Sequence, residues 1–174
     1  ENISYVPQDD FLFSKTVKEN IEFHYEEELD DEMIEKYAKI AGVYDDVMDF
    51  KDGFDTILGE RGVTLSGGQK QRVSIARALA KEKNVLIMDD SLSAVDTQTE
   101  EEILENLSKD EGHVSKIIIS HRVSTIQDAD EILFIEDGAI VERGTHDELV
   151  KLGGRYEKLY EDQLLEQKIN RGDE

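Results

Sequence analysis

An α/β fold, with a mainly parallel sheet and a helical subdomain, is predicted by three features of this 174-residue sequence. Leu65-Ser66-Gly67-Gly68-Gln69 reads as a helix start, with Ser66 as cap and two glycines that let an anion approach the backbone amides. Val85-Leu86-Ile87-Met88 is an apolar strand that delivers two carboxylates, Asp89 and Asp90, at its C-terminal end. Such strands belong to parallel sheets, and open α/β sheets hold ligands at that end of their strands. A further apolar strand, Lys116 to Ile119, leads into Ser120-His121.

The elements follow in order. Ile3-Ser4-Tyr5-Val6 is strand-like. Thr16 and Glu19 have capping-box spacing for a short helix through Ile21, and Asp30 or Asp31 opens the next. There Met33, Ile34, Tyr37, Ala38 and Ala41 recur at helical spacing before Gly42. Val43 to Phe50 suggests another short helix. The glycine-started helix runs from about Gly67 to Lys81 and buries Val73, Ala76, Leu79 and Ala80. Another, Thr97 to Ser108, buries Ile103, Leu104 and Leu107. Glu131–Ile135 and Ala139–Val141, joined by Asp137-Gly138, read as a hairpin. Thr145 caps a helix through Leu152, Gly153-Gly154 breaks it, and a polar amphipathic helix follows from Arg155 to about Lys168.

Apolar content of 38% and charged content of 36% fit one well-solvated domain, 1–174. No apolar run approaches the ~18 residues of a membrane span. The absence of cysteine excludes disulfides and thiolate metal sites. A formal charge of -22 argues against nucleic acid or an anionic lipid surface as direct partner. His24, His113 and His146 read as loop or surface residues without metal-ligand spacing.

Leu65–Gln69 resembles the signature motif of the ATP-binding-cassette (ABC) ATPases, and the Asp89 strand resembles their Walker B strand. Tyr5-Val6-Pro7-Gln8 resembles the Q-loop, Ser93-Ala94-Val95-Asp96 the D-loop, and Ile119-Ser120-His121-Arg122 the switch-histidine segment. The motifs stand in the family's order over nearly the whole chain. The resemblance implies a P-loop NTPase fold, with the helical subdomain at about 13–82 and the remaining ATPase core at about 1–12 and 83–174. No G-x-x-x-x-G-K-[ST] stretch is present, and the family places one upstream of its Q-loop. We therefore expect residues 1–174 to be the C-terminal portion of an ATP-binding domain, without ATPase activity alone.

Implied roles follow residue by residue. Asp89 would coordinate Mg²⁺, which prefers oxygen ligands, although a strand-end Asp alone more often caps a turn. Gln8 would offer its amide oxygen to Mg²⁺ or the lytic water; an isolated loop Gln usually faces solvent. His121 would contact the γ-phosphate. Asp90 stands where the family has the glutamate acting as general base. Its carboxylate sits back by ~1.5 Å, a retreat that can cost ~100-fold. An impaired site is expected; a working one, adjusted by backbone or by an extra water, is the other reading.

In the family two such domains pair head to tail, so Ser66, Gly67, Gly68 and Gln69 would bind ATP held by a partner. Asp96 would signal across that dimer, or merely cap the next helix. An intact signature beside an altered base resembles heterodimeric exporters with one degenerate site. Thr56-Ile57-Leu58-Gly59-Glu60-Arg61-Gly62 resembles the exporters' X-loop, which implies transmembrane domains as partner and a place at the cytoplasmic face of the cell membrane. An exposed Glu60–Arg61 pair in an ordinary turn would contribute little to stability. The rival readings are a soluble ABC ATPase of DNA repair or translation, an importer ATPase and a non-enzymatic regulatory module.

Overall fold

The computed structural model describes residues 2–9, 11–23, 29–59, 62–110 and 115–171. They form two compact units, Glu1–Ile119 and Ser120–Glu174.

The first unit opens on β1 (Ile3–Val6), followed by α1 (Val17–Ile21). Thr16 builds the expected capping box: its hydroxyl accepts from the Glu19 amide at 3.0 Å, and Glu19 accepts from the Thr16 amide at 2.9 Å. Asp30 caps α2 (Asp31–Ile40). Gly42, at φ +65°, turns the chain where a side chain would be strained. The expected helix from Val43 to Phe50 is shorter, α3 (Tyr44–Met48), because a 3-10 turn at Gly53–Asp55 soon redirects the backbone. Then come α4 (Gly67–Ala80), β2 (Val85–Asp89), α5 (Thr97–Lys109) and β3 (Ser115–Ile119).

The three strands form a parallel sheet in the order β1-β2-β3. Register pairs Val6 with Met88 and Asp89 with Ile119. Gln8 therefore leaves its strand at the level where Asp89 and Asp90 leave theirs. One set of alternate side chains, Ser4, Val6, Leu86 and Met88, is buried with Val73, Ile75 and Leu79 of α4 and Ile103 and Leu107 of α5. Each fully buried Leu or Ile is worth about 1.5–3 kcal/mol. The other set is less covered: Ile3, Tyr5, Ile117 and Ile119 are each about half exposed. The strands thus bury their two faces unequally.

The second unit contains α6 (Val123–Ile126), β4 (Ile132–Glu136), β5 (Ala139–Gly144), α7 (His146–Leu152) and α8 (Arg155–Arg171). Asp137 and Gly138, at φ +50° and +77°, form the tight hairpin turn that the dipeptide announces. The second hairpin strand continues past the expected Val141 to Gly144. Glu142 is held there because its carboxylate accepts from the Arg155 and Tyr156 amides at 2.5 and 3.0 Å. Thr145 and Glu148 close a third capping box. Val123, Ile132, Leu149 and Tyr156 are the buried centre. Only the first turns of α8 pack on it; Leu165 and Ile169 face solvent, so α8 is not amphipathic along its length. His146, expected in a loop or on the surface, is half-buried at the start of α7: its Nδ1 lies 2.8 Å from the Tyr156 hydroxyl, with Tyr160 edge-on.

Candidate functional site

The sequence-predicted residues of the first unit gather at two places. At the start of α4, Ser66 Oγ accepts from the Gln69 amide at 3.2 Å, and Gln69 Oε1 accepts from the Ser66 amide at 3.0 Å. The reciprocal cap holds the first turn so that its remaining amides point outward. The Gln69 amide nitrogen donates to Asp46 at 2.8 Å. Arg72 donates to the other Asp46 oxygen at 2.7 Å and to the carbonyls of Gly42 and Gly68. A carboxylate on α3 thus ties the helical region to the glycine-bearing turn. Both functional groups of the Gln69 side chain are used inside the chain, which suits it to positioning.

Ser66, Gly67, Gly68 and Arg72 line a cavity of about 400 Å³ with Ala94, Val95 and Asp96. A Cβ on Gly68 would lie 2.9 Å from the Ala94 carbonyl oxygen, so only glycine lets the two segments meet this closely. Asp96 also caps α5, accepting from the Thr99 amide at 3.0 Å. That bond, with a smaller contribution from nearby Arg72, holds its carboxyl below the usual carboxylate range. The amides of the first helical turn and the glycine-lined wall suit an anionic group such as a phosphate, while the Arg72 guanidinium is already paired with Asp46.

The second place is the end of β2. The Tyr5 hydroxyl donates to Asp89 Oδ2 at 2.9 Å; this bond pushes the Tyr5 pKa up and leaves Oδ1 for another ligand. Gln8 Nε2 approaches Asp90 Oδ2 at 3.5 Å. Asp90 itself sits at φ +45°, a conformation uncommon outside glycine. Its amide donates to the Ile119 carbonyl at 2.9 Å, which pins the turn to the end of β3. Two carboxylates and a Gln amide are hard oxygen donors that fit Mg²⁺. No group of three His, Cys, Asp or Glu side chains converges anywhere among the described residues. A magnesium ion here would therefore keep water and phosphate oxygens in its shell, as its reluctant dehydration favours.

His121 lies in the second unit, exposed, with its carbonyl accepting from Gln163 at 2.7 Å. Of the segment Thr56–Gly62, Glu60 and Arg61 fall outside the described residues. The flanking part is anchored: the Val17 amide donates to the Thr56 carbonyl and the Leu58 amide to that of Lys15. Sequence reasoning missed Tyr5 as a partner of Asp89, and missed Asp46 and Gln71 altogether. A tyrosine three residues before Gln8 on a strand parallel to β2 was the signal available for the first; the others act across long sequence separations.

The ABC transporter family model matches residues 1–93, more than half of the sequence. The chain belongs to the ABC transporter family. Similar relatives include the uncharacterized ABC transporter ATP-binding protein YfiB of Bacillus subtilis, 47% identical over 162 residues, spanning 93% of this chain and 28% of that protein. The probable multidrug resistance ABC transporter ATP-binding/permease protein YheI of the same organism is 47% identical, covering 94% and 28%. Among solved structures, a bacterial Atm1-family ABC exporter with ATP bound superposes with a TM-score of 0.87 at 39% identity, covering 94% of this chain and 29% of that one. The chain thus spans less than a third of the length of these relatives, and its fold is that of an ABC exporter's α/β domain.

Proposed function

We propose that this chain is part of the ATP-hydrolysing motor of a membrane exporter, working at the cytoplasmic face of the cell membrane beside a second nucleotide-binding domain. The observation that carries this reading is the cavity at the start of α4, where Ser66, Gly67 and Gly68 face Asp96 and Gly68 meets the Ala94 carbonyl at a distance that only glycine permits. Ser66 and the outward amides of α4 bind the terminal phosphate of an ATP held by the partner domain. Gln69 keeps that turn in place, and Asp96 fixes the facing wall. At the end of β2, Asp89 would hold Mg²⁺ with help from Gln8. The ion, when bound, offsets negative charge on the phosphates.

Asp90 takes the proton of the attacking water, with His121 orienting the γ-phosphate. The short Asp90 side chain supports a slow site on this chain. The partner's site, completed by this chain's intact signature, then carries most of the flux, which favours a heterodimer. The helical region, about 13–82, forms a subdomain beside the sheet, and Thr56–Gly62 meets the transmembrane domains.

The test is single-turnover ATP hydrolysis in the full-length complex, with the partner domain's catalytic glutamate replaced by Gln so that only this site reports. Asp90→Glu is expected to raise the rate about tenfold, and Asp90→Asn to leave total turnover of the otherwise normal complex nearly unchanged. A wild-type rate equal to the partner site's, abolished in Asp90→Asn, would show a competent base and end the slow-site reading. Absence of ATP hydrolysis in the full-length complex would end the motor reading itself.

A further inference from the structure

We propose that Gln71 is a positioning residue that locks the turn after Asp90 to the signature helix, so that the two ATP sites served by this chain are set by one buried amide. The inference rests on the ATPase reading above. Gln71 lies on the second turn of α4 and is only 4% exposed. Its Oε1 accepts from the Ala94 amide at 2.9 Å, and its Nε2 donates to Ser93 Oγ at 3.3 Å. Ser93 Oγ in turn donates to the Asp90 carbonyl at 2.9 Å. A continuous run of hydrogen bonds therefore leads from the α4 backbone to the peptide of the candidate base.

The place where this run ends needs holding. Asp90 has φ +45°, and left-handed geometry at a non-glycine residue persists only where its surroundings over-determine it. The Asp90 amide is fixed on one side by the Ile119 carbonyl and its carbonyl on the other by Ser93. Gln71 holds Ser93 and Ala94 together, and Ala94 is the residue whose carbonyl meets Gly68. Through that contact the same glutamine sets the width of the cavity between Gly68 and Asp96. A shift of α4 would thus reach Asp90 by way of a buried side chain that does not line the cavity.

A positioning role predicts a loss of rate rather than of ATP affinity. In the full-length complex with the partner's catalytic glutamate replaced by Gln, so that only this chain's own site reports, Gln71→Met, which keeps length and apolar fit but makes neither bond, should lower kcat about tenfold with KM for ATP held within about twofold. Ser93→Ala, at an exposed position where folding is not at stake, should lower kcat about threefold. The double variant should be no slower than Gln71→Met, because the two residues form one path. Thermal midpoints measured alongside separate this from a packing role, which would move stability and leave the kcat-to-KM split and the non-additivity unexplained. Unchanged kcat in Gln71→Met, a rise in KM alone, or losses that multiply in the double variant would overturn the proposal. An inactive wild-type complex would instead overturn the ATPase reading on which it rests.

Discussion

The two ends that carry the candidate chemistry are built differently. At the start of α4, Ser66, Gln69, Arg72 and Asp46 are joined in one hydrogen-bonded set, and Arg72 and Asp46 are largely withdrawn from solvent. At the end of β2, Asp89 is held by an exposed Tyr5, Gln8 only approaches Asp90, and the Asp90 backbone is strained. The difference is one of preorganisation. On the proposed reading, a wall that meets a ligand carried by another domain gains from arriving rigid, since ordering it at the encounter would cost rotamer freedom. A set of carboxylates that waits for its own metal and phosphate can be completed by them.

The comparison breaks first, and most severely, at Ser66. Ser66→Arg puts a long cation into the cavity and removes the cap, and steady-state ATP turnover of the full-length complex should fall about 100-fold. Near-normal turnover would mean that this wall does not meet the nucleotide. Gly68→Ala should cost about tenfold, because its Cβ would press on the Ala94 carbonyl at 2.9 Å. Gly67→Ala meets only the Ala94 methyl at 3.5 Å, so its loss should be clearly smaller. Equal losses would mean that the spacing to Ala94 is not what matters.

At the looser end the effect should be modest. Tyr5→Phe removes one hydrogen bond from Asp89, and nucleotide titration in the presence of Mg²⁺ should show affinity at this site reduced about threefold. A large loss would mean that the strand end is as preorganised as the helix start. The smallest effect concerns Asp96. Its carboxyl titrates lower in the folded chain than the usual 3.8, chiefly because the Thr99 amide donates to it. The stabilisation is therefore complete above that unfolded value and is lost as pH falls through the folded one. Asp96→Asn keeps a capping oxygen without a titrating proton, so the difference in thermal midpoint between wild type and variant should narrow on acidification from about pH 6 to about pH 2. A constant difference would place the low pKa elsewhere.

Much of this was legible in the sequence because it is local. The capping boxes at Thr16, Ser66 and Thr145 each lie within four residues, and Asp137-Gly138 states its own turn. The run Val85–Asp89 needs only its apolar character to be read as a strand. What escaped depends on partners far along the chain. Val123–Ile126 is one turn of helix without a side-chain cap bond, too short to show a period. The continuation of β5 through Glu142 and Arg143 makes sense only once Glu142 meets α8 and Arg143 meets Glu131. The left-handed Asp90 is likewise imposed by β3 and Ser93 rather than by its own side chain. At the candidate site, residue identities were readable, but Asp46 and Gln71 sit 23 and 22 residues from the partners that give them meaning.

The Glu142 contact has a kinetic consequence. Its carboxylate, on a hairpin strand, accepts from the first two amides of α8, and Gln163 farther along that helix accepts from the Val123 amide and donates to the His121 carbonyl. The beginning, middle and end of the second unit are thereby stitched to one another without passing through any residue before Ser120. Amides at Val123 and Tyr156, 33 positions apart, should exchange with deuterium at similar protected rates, as members of a single foldon that opens all at once. Glu142→Gln, a weaker acceptor for α8, should speed both together.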